Sequence, residues 1–324
     1  MKNFESFMAP QLEKYVHYRL NLGYALNGLR WCLLAFDKYL QEQNSDWDLL
    51  VPSFFLDLRE KIDKKPQSVN KILSTIGNLF QYFVRLNIYQ DNPLKDIPPL
   101  PEGYFIPFVF SPVEIEQLLQ AICNKLRRSE KYYLTDLGQY MAILLMARCG
   151  LRISEPLRLL RTHYRYDEGT IYIEKTKFRK DRLIPVPKAA MMEIENYLSV
   201  RKSLCPDDQN PYLLAGKKQK GLKDYQVRNS FHKAAKNIGP YRAKQIIGDM
   251  TFGSPIPHSL RHSFAINTLK RIKDQGQSPQ RALPVLAAYM GHRKYHYTAA
   301  YLKVADAKHR AGLIEFAKSQ LDPI

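Results

Sequence analysis

The chain has 324 residues, 45% of them apolar, and a formal net charge of +18. That length allows two domains of ordinary size, each with its own core. No run of about 18 apolar residues is present, which excludes a conventional membrane-spanning helix, and the start Met1-Lys2-Asn3-Phe4-Glu5 lacks the basic-then-apolar pattern of a secretion signal.

The four cysteines, Cys32, Cys123, Cys149 and Cys205, are scattered. No pair has metal-ligand spacing and none suggests a disulfide framework, so a reducing, cytoplasmic setting is expected. The charge is unevenly placed. Residues 1–100 hold 12 Lys and Arg against 11 Asp and Glu, so almost all of the excess lies in residues 101–324. A basic surface of that size favours a polyanionic partner, nucleic acid first, over a merely solubilising surface.

In chain order, residues 1 to about 90 predict a small bundle of helices. Leu26, Leu29, Leu33, Phe36 and Leu40 fall at three- and four-residue steps and mark one buried stripe. Asn44-Ser45-Asp46 breaks it. Val69, Ile72, Leu73, Ile76, Leu79, Phe80 and Phe83 mark another, with Ser68 as its expected N-cap. Weaker helices are expected near 10–21 and 52–62. Lys61, Lys64, Lys65 and Lys71 cluster at the start of the last helix, where they could meet phosphates or line a solvated loop.

Asp91-Asn92-Pro93-Leu94 through Pro101 and on to Pro107 is dense in proline, which fixes φ and removes backbone donors, so an extended linker is expected. The expected division is a helical domain over 1–100, a linker over 101–110 and a second domain over 111–324. Ser111-Pro112-Val113-Glu114 reads as a capping box with proline in the first turn. Helices are predicted at about 111–127, 131–148 and from Ser154. Thr170-Ile171-Tyr172-Ile173-Glu174 and Arg182-Leu183-Ile184-Pro185-Val186 are β-rich and flank a basic turn, which predicts a hairpin. Further helices are expected at 187–200, 222–237, 259–271, 281–289 and 304–318, with a loop over 273–279. The architecture is therefore mainly α with a small β-hairpin.

Four stretches carry chemistry. Gly150-Leu151-Arg152-Ile153-Ser154-Glu155 offers an arginine, and Thr176-Lys177-Phe178-Arg179-Lys180-Asp181-Arg182 a lysine in the hairpin turn. His258-Ser259-Leu260-Arg261-His262 offers histidine and arginine one helical turn apart. Met290-Gly291-His292 is followed, nine residues on, by Tyr301. A phenol is a poor nucleophile until its proton is taken, because its pKa is about 10. An attacked phosphodiester gathers negative charge that planar, permanently charged guanidiniums fit. Arg152 and Arg261 could thus replace the divalent metals of many nucleases. His258 could accept the phenol proton, His292 could donate to a phosphate oxygen, and Lys177 could protonate the departing 5′ oxygen.

These stretches, in this order, resemble the tyrosine recombinases, the integrase and Xer family of site-specific DNA recombinases. The resemblance is clearest from Ser111 to about Val304; over 1–100 it lies in helical pattern alone. Arg152, Lys177, His258, Arg261, His292 and Tyr301 match the family's catalytic positions, and Glu155 its usual acidic residue. The hairpin departs from the family pattern: Thr176 and Phe178 stand where glycines are usual, and Lys175 and Lys180 flank Lys177. Tyr295 and Tyr297 compete with Tyr301, which the spacing from His292 favours. Met290 replaces the usual leucine, and Gln275 to Pro284 reads as an insertion. His258 and His262, four apart, could also be metal ligands, but the glutamate expected beside such a pair is absent.

The resemblance implies an N-terminal, SAM-like core-binding bundle and a C-terminal catalytic domain that clamp duplex DNA. It implies cutting and rejoining through a 3′-phosphotyrosyl intermediate and a Holliday junction, by a tetramer on two inverted-repeat sites of a mobile element, with no cofactor or metal and with an accessory protein as an option. Helix 304–318 would dock on a neighbouring subunit, and the absence of an added arm-binding domain points to simple Xer-like members. Two other outcomes are open at this stage: DNA relaxation of the type IB topoisomerase kind, and a catalytically inactive DNA-binding accessory factor.

Overall fold

The computed structural model describes residues 2–24, 26–174, 181–216, 219–239, 243–292, 298, 301, 312, 314 and 315. The chain divides between Gly103 and Tyr104 into two units.

The first unit is built on four helices: α1 (Ala9–Asn21), α2 (Asn27–Glu42), α3 (Pro52–Lys61) and α4 (Pro66–Arg85). All seven apolar residues of the stripe from Val69 to Phe83 are buried on α4. Aromatic rings fill the centre edge to face, with Phe55 on Phe80 at 5.3 Å and Phe80 on Tyr89 at 5.0 Å. The expected N-cap at Ser68 is corrected. The helix starts earlier, at Pro66, whose missing N–H and fixed φ suit a first helical position. Part of the proline-rich segment is fastened rather than free. Asn70 Nδ2 donates to the Leu100 carbonyl at 2.9 Å while Leu100 N donates to Asn70 Oδ1 at 2.7 Å. The ammonium groups of Lys64 and Lys71 lie 5.7 and 5.6 Å from the ring of exposed Trp31.

In the second unit, α5 (Pro112–Cys123) opens on the expected capping box. Glu114 N donates to Ser111 Oγ at 3.2 Å, and Ser111 N donates to Glu114 Oε2 at 2.7 Å. Helix α6 (Glu130–Cys149) is buried without a break from Met141 to Ala147. A helix that is apolar all round belongs inside, and α5, α7 (Lys188–Leu204), α8 (Asp224–Asn237) and α9 (Pro257–Asp274) pack on it, with α10 (Pro279–Met290) against α9. The helix expected from Ser154 is only one 3₁₀ turn, Pro156–Arg158. Pro156 has no N–H to continue a helix, and Leu159 is already extended, its carbonyl accepting from Leu213 N at 2.8 Å.

The hairpin is present and gains a third strand: β2 (Tyr164–Arg165), β3 (Thr170–Ile173) and β4 (Arg182–Pro185) form an antiparallel sheet, with Ile171 opposite Ile184 and Ile173 opposite Arg182. Its turn, with Lys177, lies outside the described residues. A second sheet was not expected. Tyr104–Ile106 (β1), read from sequence as linker, pairs in parallel with Met250–Phe252 (β6), which pairs antiparallel with Gln245–Ile247 (β5). Three of the seven residues expected as loop over 273–279 belong instead to the ends of α9 and α10. Most of 304–318 lies outside the described residues. Ile314, which is described, packs on Ile247 and Phe252. No described helix is long and apolar enough to cross a membrane.

Candidate active site

Two helix ends organise the site. Helix α6 stops at Gly150 and α10 at Gly291, both in the left-handed conformation, at φ 59° and 62°. At Gly150 a Cβ would also fall 2.5 Å from the Phe264 ring, so glycine is required twice over. A helix C-terminus leaves carbonyls without intrahelical donors and carries partial negative charge. Here those carbonyls collect arginines. Arg261 Nη1 donates to Gly150 O at 2.7 Å and its Nη2 to Met290 O. Arg152 Nη2 donates to Gly291 O at 3.2 Å, and Arg182 Nε to Tyr289 O at 2.8 Å. Three successive carbonyls at the end of α10 thus hold three guanidiniums drawn from three distant parts of the chain.

Glu155 ties the same arginines together. Its carboxylate accepts from the backbone N and Nη1 of Arg152, both at 2.8 Å, and from Nη1 and Nη2 of Arg182 at 3.1 and 2.9 Å. Burial alone would raise the Glu155 carboxyl, but the Arg182 bonds and charge, with help from Arg152 and Arg261, hold it below its usual value. Because the folded pKa lies under the unfolded one, this stabilisation is fully present above about pH 4.3 and is lost as pH falls through the folded value. Glu155→Ala should cost about 3–5 kcal/mol in urea unfolding, because it strands the part-buried Arg152 and Arg182 without a counter-charge. A loss under about 1 kcal/mol, the range of a surface pair, would contradict this reading of the network.

Arg201 is a different case: fully buried, it donates to Asp208 and to the carbonyls of Asn210, Tyr212 and Leu213. Its donors are absorbed in holding a loop, and it belongs to packing rather than to chemistry.

Helix α9 supplies the second wall. His258, Arg261 and His262 share one face by their three- and four-residue spacing. The helix is pinned by Ser263, whose Oγ accepts from Phe110 N at 2.7 Å and donates to Ser259 O at 2.8 Å. Tyr301 is 8% exposed and packs with α9 and α10 in one apolar cluster. Its Oη lies 3.2 Å from Nδ1 of His262. His258, exposed at the helix start, meets His262 instead, ring centroids 4.6 Å apart at 88°. The His292 ring lies 6.1 Å from that of Tyr301, and its Nδ1 is 2.8 Å from the hydroxyl of fully buried Thr298.

The electrostatics keep the Tyr301 phenol uncharged beside two guanidiniums. Burial raises the Tyr301 phenol, while Arg261 and then Arg152 pull it back down. Burial, followed by the charges of Arg261 and Arg152, pushes His292 down to about 4. Burial, with His258, Arg261 and His292, pushes His262 down to about 3. Both rings are therefore neutral at neutral pH. Burial also lowers Arg261 from its ordinary value, but a guanidinium this close to Glu155 keeps its charge.

Of the six residues singled out by sequence, Arg152, His258, Arg261, His292 and Tyr301 stand around this one site, and Lys177 lies outside the described residues, as do Tyr295 and Tyr297. Three of the site's residues had weaker sequence signals or none. Arg182 ends the motif that contains Lys177 but locks the hairpin to α10 rather than waiting for substrate. His262 directly follows Arg261, and only its contact with Tyr301 singles it out. Thr298 is marked by nothing but its place between His292 and Tyr301. Among the described residues no cluster of three or more His, Cys, Asp or Glu could hold a metal.

A phage integrase family model matches residues 109–308. The chain is 29% identical over 293 residues to tyrosine recombinase XerD of Proteus mirabilis, covering 86% of this chain and 82% of the relative. It is 26% identical over 307 residues to tyrosine recombinase XerA of Pyrococcus horikoshii, covering 95% and 93%. Among solved structures, a lambda integrase dimer bound to a COC′ core site shares the fold with a TM-score of 0.64 at 17% identity, over 95% of this chain and 79% of that one.

Proposed function

Because the chain belongs to the phage integrase family, we propose that it is a site-specific tyrosine recombinase that cuts and rejoins duplex DNA in the cytoplasm through a 3′-phosphotyrosyl intermediate. The observation that carries this is the single cluster of Tyr301, Arg152, Arg261, His262 and His292, in which a buried phenol lies within the influence of two fixed guanidiniums. Tyr301 Oη attacks the scissile phosphorus. Arg152 and Arg261, held by helix-end carbonyls, stabilise the charge on the non-bridging oxygens with no reorganisation at the moment of reaction. Neutral His292 lies with Nδ1 2.8 Å from Thr298 Oγ1, and in the tautomer whose Nδ1 accepts from that hydroxyl its Nε2–H is left to offer a phosphate oxygen. Lys177, in the segment that links β3 to β4 in the sequence, protonates the departing 5′ oxygen. Exposed His258 stands at the start of α9, where the helix dipole also favours a phosphate.

The covalent intermediate keeps the energy of the broken bond, so exchange between two sites needs neither ATP nor ligase. Lambda integrase has been solved as a tetramer on a Holliday junction; for this chain a tetramer joined through residues 304–318 is the corresponding proposal. An apolar cavity of about 1300 Å³ between α9, α10 and the Val109–Pro112 segment has room for helix side chains from a neighbouring copy. In the first unit, Trp31 with Lys64 and Lys71 offers the ring-and-cation surface that DNA backbones accept.

The test is a plasmid carrying two copies of the duplex sequence that the chain enriches from a randomised pool. Recombinant circles, with Holliday junctions trapped along the way, are the expected products. Relaxation of the plasmid without exchange would assign the chain to topoisomerase chemistry, and binding without cleavage would make it an accessory factor.

A further inference from the structure

We propose that His262, which lies outside the set of catalytic matches, is the group that takes the phenolic proton from Tyr301; the inference rests on the recombinase function proposed above. Two histidines stand one turn apart on α9, and the structure separates their surroundings. His258 is exposed at the helix start, whereas His262 is one turn deeper, with its Nδ1 3.2 Å from Tyr301 Oη and the two rings 5.6 Å apart. The groups that face His262 are His258 and Arg261 from its own helix, and His292 and Tyr301 from the chain beyond α10.

Protonation states fix the direction of that hydrogen bond. Burial first, then His258, Arg261 and His292, keep the imidazole uncharged at neutral pH. Burial keeps the phenol protonated. A neutral imidazole has one acceptor nitrogen, and the phenol is the donor, so Oη–H points at Nδ1 and the ring proton sits on Nε2. A weak base suffices here. As Oη bonds to phosphorus its proton becomes strongly acidic, and an imidazole held at hydrogen-bond distance accepts it in the transition state.

The step balances. The Oη–P bond forms as the P–O5′ bond breaks, the Oη proton passes to His262 Nδ1, and the 5′ oxygen takes its proton from an ammonium, assigned above to Lys177. In resealing, the 5′ hydroxyl gives its proton back to the lysine amine as the P–O5′ bond forms, the Oη–P bond breaks, and the His262 imidazolium returns its proton to the departing Tyr301 oxygen.

The experiment uses the full chain and nicked suicide duplexes of the pool-selected sequence, made with an ordinary scissile phosphate or with a 5′-bridging phosphorothiolate. Single-turnover covalent capture is followed for wild type, His262→Ala and His262→Asn. Asparagine places a polar atom near the Nδ1 position but cannot carry the proton. Both variants should capture DNA about 10²–10⁴-fold more slowly at neutral pH. Their rates should climb about tenfold per pH unit as hydroxide replaces the missing base, while wild type stays level over about pH 6 to 9. The defect should persist on the phosphorothiolate, whose leaving thiolate needs no proton, so it cannot be charged to the acid. If the alanine variant fails to fold, the asparagine variant carries the test. Wild-type rates and a level profile in His262→Asn would overturn the inference and leave the recombinase intact. Absence of any adduct with wild type would overturn the recombinase reading, and this inference with it.

Discussion

Tyr301→Phe is expected to abolish covalent capture of a nicked suicide duplex while leaving its binding unchanged. The substitution removes one oxygen and keeps the ring that packs with α9 and α10. The lost hydrogen bond to His262 Nδ1 should lower stability by only about 1 kcal/mol. Since Tyr289, which packs on the same cluster, donates its hydroxyl to the Pro185 carbonyl instead, the loss of capture should be complete rather than partial. Residual adduct in this variant would move the nucleophile elsewhere, with Tyr295 or Tyr297 the first places to look. Loss of binding together with capture would show that the ring, not the hydroxyl, is what the site requires.

The second large effect is expected at the arginines. Arg152→Ala and Arg261→Ala should each slow single-turnover capture by about 10²–10³-fold, the effect of removing one positioned donor from a developing oxyanion. Arg261→Lys separates charge from geometry. Arg261 bridges Gly150 O and Met290 O with two nitrogens of one plane, and a lysine ammonium cannot span both carbonyls. The lysine variant should therefore remain slow although the charge is conserved. Wild-type capture in Arg261→Lys would mean that a point charge is enough and that the helix-end cradle is incidental. The arginines and Tyr301 should also behave as a unit, so that their effects fail to add.

Local pattern foretold most of the fold, because most of its elements are local. The stripe from Val69 to Phe83 and the Ser111–Glu114 capping box need only residues within a few turns of each other, and both stand in the structure as read. The corrections fall where a proline or a distant partner decides. Pro66 starts its helix ahead of Ser68, and Pro156 stops a helix from forming. Strands of three residues, such as Tyr104–Ile106, carry too little alternation to be seen without their partner, which lies far along the chain at Met250–Phe252.

The site follows the same rule. Residue types in order pointed to Arg152, Arg261, His292 and Tyr301, because the chemistry of a phosphodiester asks for them. What holds those groups could not be read that way. Arg152 and the carbonyl of Gly291 are 139 residues apart, and Gly150 O is 111 from Arg261. No one-dimensional pattern marks a backbone carbonyl as an arginine's partner. The choice between His258 and His262 likewise needs the position of one phenolic oxygen.

The most direct measurement is to locate the covalent bond itself. Wild-type protein captured on a suicide duplex would be digested with nuclease and protease, and the nucleotide-bearing peptide sequenced by mass spectrometry. The expected result is a single modified residue, Tyr301, joined to a 3′ phosphate. A nucleotide on Tyr295, on Tyr297 or on a residue other than tyrosine would contradict the account.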